Sequence, residues 1–198
     1  MSGKSEVEFS AVVVCRDDEE RAGHMLRRLA AHLRSLGLHF EILAVDEAST
    51  DNTLSLLSLL RRDLPELRVV AGVQPGRGYA RGLRLAHGQA VLLVDARCEA
   101  PWSALGFALN RVGSGEVPGE AGYDALAVSG RYLVVRRTRT LAAADALGHH
   151  RDALDLERRF MRRARALGLR VDVAASRARP GAWARLRQSI LLPLASRF

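Results

Sequence analysis

The sequence predicts a single α/β domain built on a mostly parallel, twisted sheet with helices on both faces. Three observations carry that expectation. Continuous apolar runs of strand length recur along the first half of the chain, as in strands buried on both faces. Between them lie segments whose apolar residues fall at helical spacing. The length, 198 residues, suits one domain with a full core.

The elements follow in order. "FSAVVVC" (Phe9 to Cys15) is the first strand. "RDDEERAGHMLRRLAAHLRSLG" places Met25, Leu26, Leu29, Leu33 and Leu36 on one helical face, with Asp17 and Asp18 as N-cap candidates and Gly37 as its stop. "FEILAVD" (Phe40 to Asp46) is the second strand, followed by a helix over 51–63. "LRVVAGV" leads through a Gly-rich turn into a helix ending near Ala86, and "QAVLLVD" is the fourth strand. "GSGEVPGEAG" (Gly113 to Gly122) reads as a loop by composition. "DALAVSGRYLVVRR" fits two strands or one bent strand, and an Ala-rich helix follows. A basic helix over about 152–167, stopped by Gly168, then leads into the strand "LRVDVAA". The tail "GAWARLRQSILLPLASRF" aligns Trp183, Leu186, Ile190 and Leu194 on one helical face, fitting either a membrane-surface helix or a stripe that closes the core.

Composition narrows the function classes. No apolar run is long enough to span a bilayer. No apolar segment follows Lys4, so secretion is not expected and a cytoplasmic location is. Cys15 and Cys98 have no metal-ligand spacing and read as reduced strand-end residues. "GRGYARG" (Gly76 to Gly82) lacks the dinucleotide fingerprint, and no Ser or Cys has an evident base partner. His149 and His150 fit a surface turn.

Charge is unevenly spread. Residues 1–130 carry 14 Lys+Arg against 17 Asp+Glu, whereas residues 131–198 carry 16 against 5. That asymmetry fits either solvated helix faces or a phosphate-rich partner. The Arg residues lack interleaved aromatics for base stacking, which argues against nucleic acid. Contact with the inner face of a membrane through this basic third remains an open expectation.

Ligands of a parallel α/β sheet bind outside the carboxyl ends of its strands. Those ends carry Arg16, Asp17 and Asp18; Asp46, Glu47, Ser49, Thr50 and Asp51; Gly76, Arg77 and Gly78; and Asp95 and Arg97. Acids on three strand ends beside a Gly-rich turn suit a nucleotide. Carboxylates would hold its base and ribose, while backbone N–H groups, a metal ion or Arg would meet its diphosphate.

At these residues the chain resembles the family 2 glycosyltransferases of GT-A fold. "FSAVVVCRDDEERAGHMLRRL" resembles their opening strand, acidic turn and helix. "FEILAVDEASTDNTLSLL" resembles their second strand with its Asp-Asp-Gly-Ser-Thr-Asp-x-Thr segment. "GLRLAHGQAVLLVDARCEAP" resembles their Gly-Leu-x-x-Ala-x-Gly helix end, fourth strand and Asp-x-Asp motif, with Pro101 in its expected place. The resemblance implies a single GT-A-like domain over 1–198. It comprises a nucleotide-binding half (9–110), a shortened acceptor half (123–180) and an amphipathic C-terminal helix (181–198).

It also implies a nucleoside-diphosphate sugar as donor, with Mg²⁺ or Mn²⁺ bridging the diphosphate. Asp18, Asp46 and Glu47 then hold base and ribose, Asp95 and Arg97 lie at the diphosphate, Arg77 is a further nucleotide-sugar-binding residue, and Asp95 is the metal ligand. Asp152 or Asp155 is the base that takes the acceptor's proton.

Three departures bear on that implication. Arg97 stands where the family has a second metal-binding acid, and a guanidinium does not ligate a cation. Arg97 replaces the metal, or Glu99 joins Asp95, or the site is silent and Asp95 caps the following helix. Ala153 stands where an acid of the usual base pair would be, so Asp152 and Asp155 compete with ordinary roles as helix cap and Arg partner. The connection from Asp95 to this helix is short, and "AVSGRYLVVRR" resembles a remnant of the Ser-Gly-Phe-Arg segment of the dolichyl-phosphate sugar synthase branch. Two functions follow: a transferase, or a catalytically silent nucleotide-sugar-binding or scaffold protein that partners an active transferase or a membrane complex.

Overall fold

The computed structural model describes residues 7–98, 102–113, 116–117, 120–128, 132–148 and 153–174. The first half runs Phe9–Cys15 (β1), Ala22–Ser35 (α1), Phe40–Asp46 (β2), Thr53–Leu60 (α2), Leu67–Val70 (β3), Gly78–Leu85 (α3) and Ala90–Asp95 (β4). The second runs Ser103–Gly113 (α4), Glu116–Val117 (β5), Glu120–Ala121 (β6), Ala125–Val128 (β7), Tyr132–Arg136 (β8) and Arg137–Thr140 (α5). A 3-10 turn over Leu141–Leu147, then Ala153–Ala166 (α6) and Val171–Ala174 (β9), complete it. Among these residues no helix is long and apolar enough to cross a membrane.

Seven strands form one sheet in the order β3-β2-β1-β4-β8-β7-β9. The pairs β1–β2, β1–β4, β2–β3 and β7–β9 are parallel, whereas β4–β8 and β7–β8 are antiparallel. The sheet is thus mixed but mostly parallel, as expected. Strand order reverses between β1 and β4, which opens the switch-point crevice of an α/β fold at their carboxyl ends.

Alternation along β1 builds two cores. Ala11, Val13 and Cys15 join Leu26, Leu29, Leu57 and Leu105 under α1, α2 and α4. Val12 and Val14 join Leu83, Leu147 and Phe160 under α3, the 3-10 turn and α6. Both faces are covered, which explains why the strands read as unbroken apolar runs.

Two local expectations change. The Asp18 side chain does not cap α1. Its carbonyl accepts the N–H groups of Arg21 and Ala22 at 3.0 and 2.9 Å, while its carboxylate turns to the Arg97 guanidinium. A charge-assisted bond is stronger than a neutral cap, so the helix starts later, at Ala22. The 113–122 segment is not a bare loop, because Glu116 pairs with Ala121 and Val117 with Glu120 across β5 and β6. The 181–198 helix, Trp183 and the His149–Asp152 turn lie outside the described residues.

Candidate functional site

Register fixes the centre of the site. Cys15, the last residue of β1, is level with Asp46 of β2, and its neighbour Val14 is level with Asp95 of β4. Two carboxylates therefore flank the end of β1 at the switch point. Burial first, then the charges of Asp18, Asp95 and Asp46, push the Cys15 thiol up and keep it protonated. Cys98 is half-buried in the turn past β4 rather than at a strand end, and both cysteines are free thiols.

The loops after β1 and β2 are stitched together. Asp17 Oδ1 accepts the Thr50 N–H at 2.7 Å, and the Asp17 N–H donates to Ser49 Oγ at 3.1 Å. The Glu19 N–H donates to Asp51 Oδ2 at 3.1 Å, and the Asn52 N–H returns a bond to Glu19 Oε2 at 3.0 Å. Thr53 Oγ1 accepts the Asp18 N–H at 2.8 Å. These bonds explain the Ser/Thr/Asp-rich run "ASTDNT": the Ser49, Asp51 and Thr53 side chains each accept a backbone N–H of the facing loop, and the Thr50 hydroxyl donates to Asp17. The Thr50 N–H holds Asp17 below the usual carboxylate range, and a bond with Thr53 does the same for Asp51.

Two residues of this region, Asp17 (φ 51°) and Ala48 (φ 52°), adopt left-handed backbone conformations. Ala48 stands where the quoted family segment has glycine, so that segment carried the signal of a strained turn. The cost for an L-residue there is about 1 kcal/mol.

Glu47 is committed inside the fold. It is 5 % exposed, and its two oxygens accept the N–H groups of Gly76 (2.8 Å) and Gly78 (2.6 Å), capping the turn into α3. Arg77, exposed in the same turn, sends its guanidinium towards Gly148 at the end of the 3-10 turn, on the α3 side of the sheet. Asp46 differs. It is 2 % exposed, Oδ2 accepts the Ser49 N–H at 3.3 Å, and Oδ1 has no hydrogen-bond partner among the described residues.

Asp95, Arg97 and Asp18 form one constellation. Asp95 Oδ1 accepts the Arg97 N–H at 2.7 Å. Arg97 Nε donates to Asp18 Oδ1 at 2.7 Å, and Nη2 donates to the Arg16 carbonyl at 2.5 Å. Asp18 Oδ2 accepts the Arg16 N–H at 2.9 Å. The turn after β4 is thereby tied to the loop after β1. Of the two base candidates, Asp155 lies on the backbone of α6, and Asp152 lies outside the described residues, as does Glu99.

A polar cluster at the opposite, amino edge was not anticipated from the sequence. Glu41 Oε1 accepts the Ser10 hydroxyl (2.7 Å) and the His87 N–H (2.7 Å), and its Oε2 pairs with Arg68. Its only sequence signal is a polar residue in each of two apolar strands.

An α/β domain of GT-A type is the class that this sheet order defines. The glycosyl transferase family 2 model matches residues 10–115, more than half of the chain, and the protein belongs to that family. No curated protein matches it in sequence. Among solved structures it resembles S. aureus TarS 1–349 (TM-score 0.59, 21 % identity, covering 86 % of this chain and 59 % of that one), which is also known in complex with UDP-GlcNAc.

It also resembles the mannosyltransferase PcManGT of Pyrobaculum calidifontis in complex with GDP-Man and Mn²⁺ (TM-score 0.56, 14 % identity, 94 % and 61 %). A third is glucosyl-3-phosphoglycerate synthase of Mycobacterium tuberculosis with Mn²⁺, UDP and glucosyl-3-phosphoglycerate (TM-score 0.59, 16 % identity, 94 % and 79 %). The chain spans about three-fifths of the TarS fragment's length. At these identities the likeness is one of fold.

Arg97 decides whether a divalent ion fits here. Its guanidinium contacts Asp18, and its backbone N–H occupies Asp95 Oδ1, so a cation would share those carboxylates with a fixed positive charge. Among the described residues no group of three His, Cys, Asp or Glu side chains is disposed to hold a metal. The donor set among the described residues does not fit a resident divalent ion.

Proposed function

We propose that the protein binds a nucleoside-diphosphate sugar at the carboxyl edge of β1, β2 and β4 and transfers the sugar to an acceptor hydroxyl. The observation that carries this reading is Asp46 Oδ1, a buried carboxylate oxygen beside the switch point without a partner among the described residues. Leaving such a group unpaired costs about 1–3 kcal/mol, and a ribose hydroxyl or base N–H removes that cost.

In this reading Asp18, Asp46 and Glu47 surround the base and ribose, and Asp46 is the one that keeps an oxygen without a partner among the described residues. Glu47 acts by holding the Gly76–Gly78 turn. Asp95 and Arg97 lie at the diphosphate, with Arg77 farther along the same edge. UDP-GlcNAc, GDP-Man and UDP in the relatives' structures support the ligand class. Mn²⁺ in two of them supports metal use by the fold, while the Arg97 arrangement speaks against a metal ligand role for Asp95 in this chain.

Transfer breaks the bond from the anomeric carbon to the diphosphate as the acceptor oxygen bonds to that carbon. The nucleoside diphosphate leaves, and a carboxylate takes the hydroxyl proton. Asp152 and Asp155 are the candidates for that carboxylate.

The second reading, a silent binding or scaffold protein, is favoured by the internal engagement of Asp17, Asp18 and Glu47. Contact with an anionic membrane face is the companion proposal. Arg159, Arg162 and Arg163 line a groove of 640 Å³ with Asp145 as its acid, which supports it.

Calorimetric titration with UDP-, GDP- and dTDP-sugars tests the donor reading. Binding that weakens on the order of tenfold in Asp46→Asn supports it. Unchanged affinity in that variant removes its basis. Turnover of the bound donor with candidate acceptors separates transferase from silent binder, and salt-sensitive flotation with anionic vesicles reads the membrane contact.

A further inference from the structure

We propose that the Arg97 guanidinium takes the place of a divalent cation at the β1–β4 edge, so that this protein binds a nucleoside diphosphate without metal. The inference rests on the donor reading above and specifies how its diphosphate is held.

The backbone fixes where Arg97 emerges. β4 ends at Asp95, and the Ala96 N–H donates to the Val14 carbonyl at 2.9 Å, carrying the chain one residue further beside β1. Arg97 therefore leaves the sheet at the switch-point crevice, over the loop that holds Asp18. Three bonds then orient it: its N–H to Asp95, Nε to Asp18 and Nη2 to the Arg16 carbonyl. Asp18 is itself held by the N–H groups it meets and by Thr53, so the guanidinium rests on a rigid support.

The side chain nevertheless stays 53 % exposed, and Nη1 has no partner among the described residues. A planar donor group with one edge anchored and the other open is suited to phosphate oxygens. The bond from Asp18 first, then the charges of Asp95 and Asp17, raise the Arg97 pKa and keep the group cationic.

The cavity on the α1 side of Arg97 is largely basic, whereas the adjoining one, which shares Glu20 and Arg21, is lined by Asp17, Asp18, Glu19 and Asp51. Arg97 lines a cavity of 490 Å³ together with Arg21, His24 and Arg28, and Glu20 is the acid on that lining. An anion entering from this side meets three guanidinium groups, whereas a metal ion is repelled by all of them. The arrangement also names what one substitution would release. Without the guanidinium, Asp18 Oδ1 loses its charged partner while the backbone N–H of residue 97 still meets Asp95, and an acid at position 97 would complete a three-carboxylate set.

Two titrations test this. UDP and GDP are titrated into the wild-type protein, Arg97→Lys, Arg97→Gln and Arg97→Asp, each with EDTA and with Mn²⁺. Mn²⁺ alone is titrated into wild type and Arg97→Asp and followed by its electron paramagnetic resonance signal. The expected result is wild-type diphosphate binding that is indifferent to metal and weakens on the order of tenfold in Arg97→Gln. Arg97→Lys, which keeps the charge and serves as the folding control, falls between them. Arg97→Asp binds diphosphate only with Mn²⁺, and it binds Mn²⁺ alone on the order of tenfold more tightly than wild type.

Wild-type binding that requires Mn²⁺, or wild-type affinity for Mn²⁺ equal to that of Arg97→Asp, overturns this proposal and leaves the donor reading standing. No diphosphate binding to the wild type under either condition overturns both.

Discussion

The carboxylate of Glu47 accepts the backbone N–H of Gly78 at 2.6 Å, joining the end of β2 to the first turn of α3. The same carboxylate accepts the Gly76 N–H at 2.8 Å, so one buried side chain satisfies two donors of a Gly-rich turn. A Cβ at Gly78 would stand 2.7 Å from Glu47 Oε1 and 2.8 Å from Val14 Cγ2, so glycine is required here for close approach.

Glu47→Ala leaves those two donors unmet and is expected to cost about 2–4 kcal/mol of stability by urea denaturation. Gly78→Ala is expected to cost about 1–3 kcal/mol through overpacking. Because the nearest clash is with Glu47 itself, the double variant should lose less than the two single losses combined. Strict additivity would show that the two residues do not act together.

Ala48 offers the opposite sign. Its φ of 52° is a conformation glycine adopts without penalty. Ala48→Gly is expected to raise stability by about 1 kcal/mol, part of the gain being offset by the freer unfolded chain. An unchanged or lower urea midpoint would show that the turn is relaxed around alanine.

Glu41 sets an acid limit on stability. Burial works against its charged form, but bonds from the His87 N–H, the Ser10 hydroxyl and Arg68 outweigh it and hold the carboxyl below its usual range. A group whose folded pKa is depressed stabilises the fold fully above its unfolded value, about 4.5 here, and that contribution is lost as pH falls through the folded value. Tm should therefore drop on acidification below that unfolded value. Glu41→Gln should lower Tm at neutral pH, costing about 2 kcal/mol, and flatten the acid limb of the profile. An acid limb of equal steepness in the variant would assign it to other carboxylates.

Much of the fold was legible because it is written in local periodicity. The unbroken apolar runs of β1, β2 and β4 report burial on both faces, and the Gly37 and Gly168 stops, at φ 69° and 73°, report helix ends. The strand-edge acids were legible too, since a parallel strand's last residue marks where ligands meet the sheet. Their individual tasks were not. Glu47 and Asp46 are adjacent in sequence and both buried, yet one meets two donors of the α3 turn and the other keeps an oxygen without a partner among the described residues.

The sequence by itself determined the α/β class, the four parallel strands, the acids at their carboxyl ends and the family. These depend on residue types at short spacing, which local sterics and burial translate directly into structure. Only the tertiary structure decided that Arg97 and Asp18, 79 residues apart, close on each other across the β1–β4 crevice. It also decided that Glu41 gathers Ser10, Arg68 and His87 at the far edge. Charged side chains choose partners by distance and desolvation in the folded chain, and strand order sets those distances.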